Sequence, residues 1–550
     1  MNPSTALARV LVDELARCGV RDAVLAPGSR SAPLALALGG QDRIRVHVRI
    51  DERSAGYLAL GLATNGRPTA VVCTSGTATA NLFPAVLEAS YAGVPLIVLT
   101  ADRPPELRGT GANQTVDQVG LYGGATRFTA DVGVPEQRPG AVRFWRSLTA
   151  RAVAAATDRR DPGPVHLNLP LREPLVPDGE DSWVEHIQLD GAEPWTVVHA
   201  EPAPARPLTD PVPERGAVVV GHGATEPAAA RRLAENCGWP LLSEPTGNAR
   251  SGPNAIATYP LLLADPGFAA DMRVDLVVVV GKPGLSRSLL GWLGQAHRVV
   301  VVDPSSRWAD PVRRASLVLP AVPTAEPRES TGWLRSWRRA DAGARSVVDD
   351  VLDEGDGLTE PRLARDLLAA LPPRSLLLAG SSRPIRDLEA YAGPRDDVAV
   401  IGNRGVSGID GLVSTALGAA LVHDGPAYAL LGDLAFLHDH NGLVLGPGEI
   451  RPDLRLVVVD NDGGGIFSTL PPASQPGFDR LFGTPHGLDL AAVATAAGWP
   501  CDVLATAGDL PLALAGTGPR VVLVRTRRDD TAALHLRLQQ AVTDALRDSA

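Results

Sequence analysis

The chain is predicted to fold as three doubly wound α/β domains on mainly parallel sheets. Three observations predict this. Short runs rich in Val, Ile and Leu alternate with Ala/Leu-rich helical stretches. The runs are continuously apolar, as strands buried on both faces must be. They also fall into three blocks separated by polar, proline-rich segments.

The first block has strand patterns at 22–28, 44–50, 69–75, 95–101 and 164–170. The second has them at 216–223, 240–244, 275–281, 298–303 and 317–320, and the third at 375–381, 398–403, 428–433, 454–460 and 520–526. Residues 172–186 and 200–216 are acidic and proline-rich, and 341–357 is polar, so both regions read as linkers crossing the surface. The expected domains are 1–178, 195–340 and 355–550. The GHGATE turn (221–226) lacks a full G-x-G-x-x-G, which disfavours a dinucleotide site there.

Composition narrows the function classes. An apolar content of 45% and a charged content of 21% describe an ordinary globular protein. No apolar run reaches the roughly 18 residues of a membrane span. The start reads as an amphipathic helix with acidic residues, not a signal peptide. Cys18, Cys73, Cys237 and Cys501 lie far apart and read as small buried hydrophobes in a reducing cytoplasm. A net charge of −10 without a basic tract argues against nucleic acid. Lys282 is the only lysine, so Schiff-base chemistry would hang on a single Gly-Lys-Pro turn. Every other cationic side chain of the Lys/Arg class is arginine, which binds carboxylates in a bidentate fork.

The most telling stretch is LLGDLAFLHDHN (430–441) followed by LRLVVVDNDGGGIF (454–467). Asp433 closes one apolar run and Asn461 follows the next. In a βαβ unit these positions fall at the carboxyl ends of neighbouring parallel strands, where open α/β sheets bind ligands. A carboxylate, a carboxamide and backbone carbonyls make an oxygen-only donor set suited to Mg²⁺ and phosphate. Separately, IRVHVRIDERSAGYLALGLA (44–63) brings Asp51 and Glu52 to a strand end. On local sequence these acids read equally as charges favouring a helix N-terminus.

The order Gly432-Asp433, helix, Asn461-Asp-Gly463 resembles the motif of thiamin diphosphate (ThDP) enzymes. That resemblance implies Mg²⁺, or Mn²⁺ in its place, held by Asp433, Asn461 and the Gly463 carbonyl. Leu434 stands where Gly is commoner, which marks a subgroup and leaves the ligand side chain in place. The resemblance implies ThDP-binding domains at both ends of the chain, with the pyrimidine side in the first and the diphosphate side in the third. Glu52 then becomes the buried glutamate that activates the cofactor's aminopyrimidine. Gly432 and Leu434 flank the diphosphate, and Ile466, next to Phe467, props the bent cofactor. A homodimer, or a homotetramer built from it, is implied because such enzymes bind cofactor between subunits.

Six segments occur in order: APGSRSAPL (26–34), DERSAGYLALGLA (51–63), TSGTATANLFPAVLEA (74–89), TADRPPELRGTGANQT (100–115), NRGVSGIDG (403–411) and GDLAFLHDHNGL (432–443). Together they resemble the 2-succinyl-5-enolpyruvyl-6-hydroxy-3-cyclohexene-1-carboxylate synthases, ThDP-dependent transferases of menaquinone biosynthesis. The likeness spans nearly the whole chain and is loosest in the middle block. It implies decarboxylation of 2-oxoglutarate and conjugate addition of the four-carbon acyl-anion equivalent to isochorismate. Both substrates are dicarboxylates, and Arg30, Arg103, Arg386 and Arg404 all follow strand ends. Ser29, Asn113, Gln114 and Ser382 match polar substrate-binding positions. Where the family can carry a basic pair, this chain has Arg287-Ser288, so one charge is missing. Other readings are another ThDP-dependent 2-oxoacid decarboxylase or carboligase, such as an acetohydroxyacid synthase, and a noncatalytic ThDP-binding protein.

Overall fold

In a computed structural model, the described residues are 1–179, 183–185, 191–199, 201, 203–208, 212–305, 307–329 and 331–548. Three parallel sheets follow the three sequence blocks. The first contains β1 (Asp22–Leu25), β2 (Arg45–Val48), β3 (Thr69–Cys73), β4 (Leu96–Asp102), β5 (Phe128–Asp131) and β6 (Val165–Pro170), in the order β2-β1-β3-β4-β6-β5. The second contains β7 (Gly216–Val220), β8 (Leu241–Ser243), β9 (Leu276–Val280), β10 (Arg298–Val302) and β11 (Ala315–Leu319), in the order β11-β10-β9-β7-β8. The third contains β12 (Ser375–Ala379), β13 (Val398–Ile401), β14 (Ala427–Gly432), β15 (Leu454–Asp460), β16 (Cys501–Leu504) and β17 (Arg520–Arg525), in the order β13-β12-β14-β15-β17-β16. The first and third sheets therefore share one topology. In each, the chain reverses its direction of growth between the first strand and the third, which opens a crevice at their carboxyl ends.

The central strands are continuously buried, as the apolar runs require: β3, β4, β7 and β9 expose no residue. Parts of the first predicted linker (180–182, 186, 200, 202 and 209–211) lie outside the described residues. The second linker prediction is corrected by the structure. Residues 341–352 are the second half of a helix, Gly332–Leu352. Trp333, Trp337, Asp341, Ala344, Val348 and Leu352 form its buried stripe, whose near-fourfold spacing is masked by the charges between. Asp341 belongs to that stripe because its Oδ1 accepts both the N–H and the hydroxyl of Thr258, each at 2.7 Å.

The chain separates into two compact units. One contains 1–201, 403–423 and 438–452, and the other 202–402, 424–437 and 453–550. Within the first, the Glu52–Leu62 and Leu412–Leu421 helices cross at backbone contact. A Cβ on Gly61 would lie 2.2 Å from the Thr415 carbonyl oxygen, and one on Gly418 would lie 2.2 Å from that of Leu58. Only glycine permits that approach, so the helix that begins at Glu52 is pinned along its length.

Candidate active site

β14 and β15 run in register, with Gly432 opposite Val459, so Asp433 and Asn461 emerge side by side. Asp433 opens a short helix and is buried. Its Oδ1 accepts the Leu434 N–H (2.6 Å), and its Oδ2 accepts the N–H of Asn461 (3.1 Å) and of Gly463 (2.8 Å). Burial raises its pKa, and the N–H groups of Gly463 and Leu434 oppose that rise. Asn461 donates its Nδ2 to Glu360 Oε1 at 2.8 Å, which orients the amide and leaves Oδ1 buried with no hydrogen-bond partner. Glu360 is itself buried and accepts the hydroxyls of Thr526 (3.1 Å) and Thr531 (3.2 Å). Gly463 has φ +134°, and a Cβ there would fall 1.9 Å from the Gly483 carbonyl oxygen. A buried carboxylate beside an unspent, oriented amide oxygen is the donor set a hard cation requires, so these residues fit Mg²⁺.

Sequence reasoning missed three residues here. Glu360 sets the Asn461 rotamer from a distant helix. Asp460 and His486 bring ligand atoms that lie, with that of Asp433, within 4.8 Å of one another. Asp460 ends a strand in plain view, whereas His486 sits in a Gly-Thr-Pro-His-Gly turn with no metal-ligand spacing around it.

In the first unit, Asp51 takes the capping role that local sequence left open between it and Glu52. Asp51 is the helix cap: its Oδ1 accepts the N–H of Arg53 (2.8 Å) and of Ser54 (3.4 Å). Its Oδ2 accepts Asn441 Nδ2 at 2.9 Å. Glu52 takes no part in the cap. It is half-buried within the chain, and Ile50, at the preceding strand end, is 75% exposed.

Arg30 follows β1 and is buried, with Nη1 donating to the Leu171 carbonyl at 2.9 Å. Burial and the nearby charge of Arg103 hold its pKa below the usual guanidinium value. Arg103, just past β4, donates to the Ser75 hydroxyl. Ser75 Oγ in turn donates to the Gln114 carbonyl (2.9 Å), and Gln114 Nε2 donates to the Ser75 carbonyl (3.0 Å). Ser75, unnoticed in the sequence, thus gathers Arg103 and Gln114. Ser29 and Asn113 are exposed nearby in sequence. Arg404 is buried in this same unit.

The second unit holds a cavity of about 740 Å³ lined by Arg287, Arg383, Arg386, Ile466, Ser468 and His535, among others. Arg386 lies one turn inside the Arg383–Tyr391 helix, and its Nη1 donates to the Ser382 carbonyl at 2.8 Å. Ser382 has φ +77° at the start of that helix. Arg287 is exposed at the cavity, whereas Ser288 donates to the Pro260 carbonyl (2.8 Å). Ile466 reaches the cavity, while Phe467 packs 5.9 Å from Phe482. The predicted residues thus separate by unit. Ser29, Arg30, Glu52, Arg103, Asn113, Gln114 and Arg404 belong to one, and Arg287, Ser382, Arg386, Gly432, Asp433, Leu434, Asn461, Gly463, Ile466 and Phe467 to the other.

Comparison with known proteins agrees with this geometry. Residues 5–121 match the family described as thiamine pyrophosphate enzyme, N-terminal TPP binding domain, and 181–378 match the middle domain of thiamine pyrophosphate enzymes. The chain is 58% identical to the 2-succinyl-5-enolpyruvyl-6-hydroxy-3-cyclohexene-1-carboxylate synthase of Thermobifida fusca (strain YX), over 100% of both chains. It is 48% identical to that of Saccharopolyspora erythraea (99% of this chain, 100% of the relative). With the synthase of Kineococcus radiotolerans the identity is 46%, over 99% of this chain and 100% of the relative. An oxygen-donor crevice, matched thiamine pyrophosphate domains and full-length relatives of one kind converge: the chain belongs to the 2-succinyl-5-enolpyruvyl-6-hydroxy-3-cyclohexene-1-carboxylate synthase family of ThDP enzymes.

Proposed function

We propose that this chain catalyses the reaction its relatives are named for. 2-Oxoglutarate loses CO₂, and the remaining four-carbon unit adds in conjugate fashion to isochorismate, a step of menaquinone biosynthesis. The observation that carries the substrate class is the placement of arginines. Arg30 and Arg103 lie close enough for one charge to depress the other's pKa, and Arg287 and Arg386 share one cavity. Neighbouring guanidinium groups repel unless anions join them, and each substrate brings two carboxylates.

Thiamin diphosphate, when bound, supplies the nucleophilic carbon and the electron sink that decarboxylation requires. Asp433, Asn461 and the Gly463 carbonyl would hold Mg²⁺ or Mn²⁺ against its diphosphate. Glu52 would share a proton with the aminopyrimidine ring. Arg386 and Ser382 would bind the 2-oxoglutarate-derived carboxylate, the role the family resemblance also implies for Arg404. Ser29, Arg30, Arg103, Asn113 and Gln114 would face the acceptor, and Arg287 would bind substrate from its own cavity.

The exposed apolar side chains of Val48 and Ile50 beside Glu52 support a homodimer as the active form, with a tetramer as its doubling. The same proposal keeps the three-domain division 1–178, 195–340 and 355–550, and a cytoplasmic location. Among the described residues no helix is long and apolar enough to cross a membrane.

The deciding experiment measures CO₂ released from 2-oxoglutarate and from pyruvate, with and without isochorismate, on enzyme supplied with ThDP and Mg²⁺. The proposal expects preference for 2-oxoglutarate and consumption of isochorismate. Preference for pyruvate would make this a carboligase of the acetohydroxyacid synthase kind, and no turnover with tight ThDP binding would make it a binding protein.

A further inference from the structure

The segment around His486 is laid along the metal-side loop by backbone bonds. Gly464 N–H meets the Gly483 carbonyl at 2.7 Å, and the N–H groups of His486 and Gly487 both reach Asp462 Oδ1, at 2.9 and 2.8 Å. The imidazole is therefore held in place, and its two nitrogens can be assigned. Nδ1 accepts the Leu488 N–H at 3.0 Å. A ring nitrogen that accepts carries no proton, so in the neutral ring the proton is on Nε2. Nε2 is buried without a hydrogen-bond partner, and the side chain is only 10% exposed. It stands 3.4 Å from Asp433 Oδ2 and 3.7 Å from Asp460 Oδ1.

This could be a third metal ligand, since the three side chains have the spacing of a metal centre. The tautomer argues otherwise. A metal on Nε2 would take the lone pair there and move the proton to Nδ1, where it would face the Leu488 N–H. Asp433 Oδ2 already accepts two backbone N–H bonds, so it has little capacity left for a third donor. What remains is an oriented N–H, buried at the mouth of a site read as binding diphosphate.

We propose that His486 Nε2–H binds an oxygen of the cofactor's diphosphate, outside the coordination sphere of the metal. This rests on the reading of Asp433 and Asn461 as the metal–diphosphate site. A donor there would complement phosphate charge that the carboxylates of Asp433 and Asp460 would otherwise repel.

The test is calorimetric titration of ThDP at saturating Mg²⁺, with pulsed EPR of the Mn²⁺–ThDP enzyme. His486→Ala should raise the Kd for ThDP about tenfold or more, the loss of one hydrogen bond to a charged group. His486→Gln, which keeps an N–H donor, should recover most of that, and His486→Met, of similar bulk without a donor, should not. If the alanine variant does not fold, the Gln–Met comparison decides. The EPR spectra should show no directly bonded ¹⁴N. Wild-type affinity in both His486→Ala and His486→Met, or a nitrogen ligand on Mn²⁺, would overturn the proposal. Unchanged ThDP affinity in Asp433→Ala would instead overturn the site reading beneath it.

Discussion

Glu88 tests whether the Arg404 turn is built or incidental. It lies on the Phe83–Ala92 helix, 1% exposed, far in sequence from Arg404 but in the same compact unit. Its two carboxylate oxygens accept successive backbone amides, Gly405 N–H at 2.6 Å and Val406 N–H at 2.8 Å. The approach is close enough that a Cβ on Gly405 would fall 2.4 Å from the Glu88 carbonyl oxygen. One carboxylate thus fixes the turn that carries Arg404.

Glu88→Gln preserves the shape but keeps only one acceptor, and its NH₂ faces a backbone N–H. The variant loses one bond to a charged acceptor, about 1.5–3 kcal/mol, and strands one buried amide. Together these should lower stability by about 2–4 kcal/mol, read as a shift of the denaturation midpoint without a change of slope. In the folded fraction, the KM for 2-oxoglutarate should rise while ThDP affinity stays at the wild-type value, because the Asp433 site is not touched. A variant within about 0.5 kcal/mol of wild type, with unchanged KM, would refute the argument that this carboxylate organises the turn.

Three further outcomes follow from the same structure. Glu52→Gln should still bind ThDP but slow its C2–H/D exchange by roughly 10²-fold, the size of a general acid–base contribution, with NMR exchange at the wild-type rate counting against it. Arg30→Ala should slow consumption of isochorismate while decarboxylation of 2-oxoglutarate, followed with an artificial electron acceptor, stays largely intact; equal losses would refute its assignment to the acceptor. His166 is buried against Thr100 Oγ1 (2.7 Å), and burial lowers its pKa to about 4. The native ring stays neutral where the unfolded ring takes a proton, so stability is full above about pH 6.5 and falls toward pH 4, by up to about 3 kcal/mol. His166→Gln should flatten that part of the pH–stability curve, and an unchanged slope would place the titration elsewhere.

The sequence reading reached every interior strand and four of the six edge strands, and it missed the other two for a physical reason. β5 and β16 are the two strands it overlooked, and each closes one side of its sheet. An edge strand is covered on fewer sides, so FTAD and CDVL are partly exposed and carry no continuous apolar run. The Gly332–Leu352 helix was half-read as linker because its buried stripe is sparse and its other faces are charged. At the site, Asp433, Asn461 and Gly463 were legible because strand ends and a glycine turn are local signals. Ser75, Glu360 and His486 were not, because each acts on a partner brought near only by folding. Local sequence did not separate Glu52 from Asp51; the family resemblance chose Glu52, and the structure shows that Asp51 is the acid that caps the helix.

The shared strand order of the first and third sheets makes the difference between their crevices informative. In both, the loops after the first and third strands flank the reversal point, since β1 pairs with β3 and β12 with β14. After β1 and β3 the sequence places Arg30 and the Thr74–Ser75 pair, with Arg103 joined to Ser75. After β14 it places Asp433, and after the adjacent β15 it places Asn461. The same backbone solution is thus given opposite charge: guanidinium groups follow the strands of one crevice, and carboxylate and amide oxygens those of the other, as the proposed anion and cation sites require. Fold alone could not assign either function. The proposed division between carboxylate recognition and metal–diphosphate binding rests on the few residues that follow strand ends, which is why the chemistry could be argued from the sequence before the helices around it could be drawn.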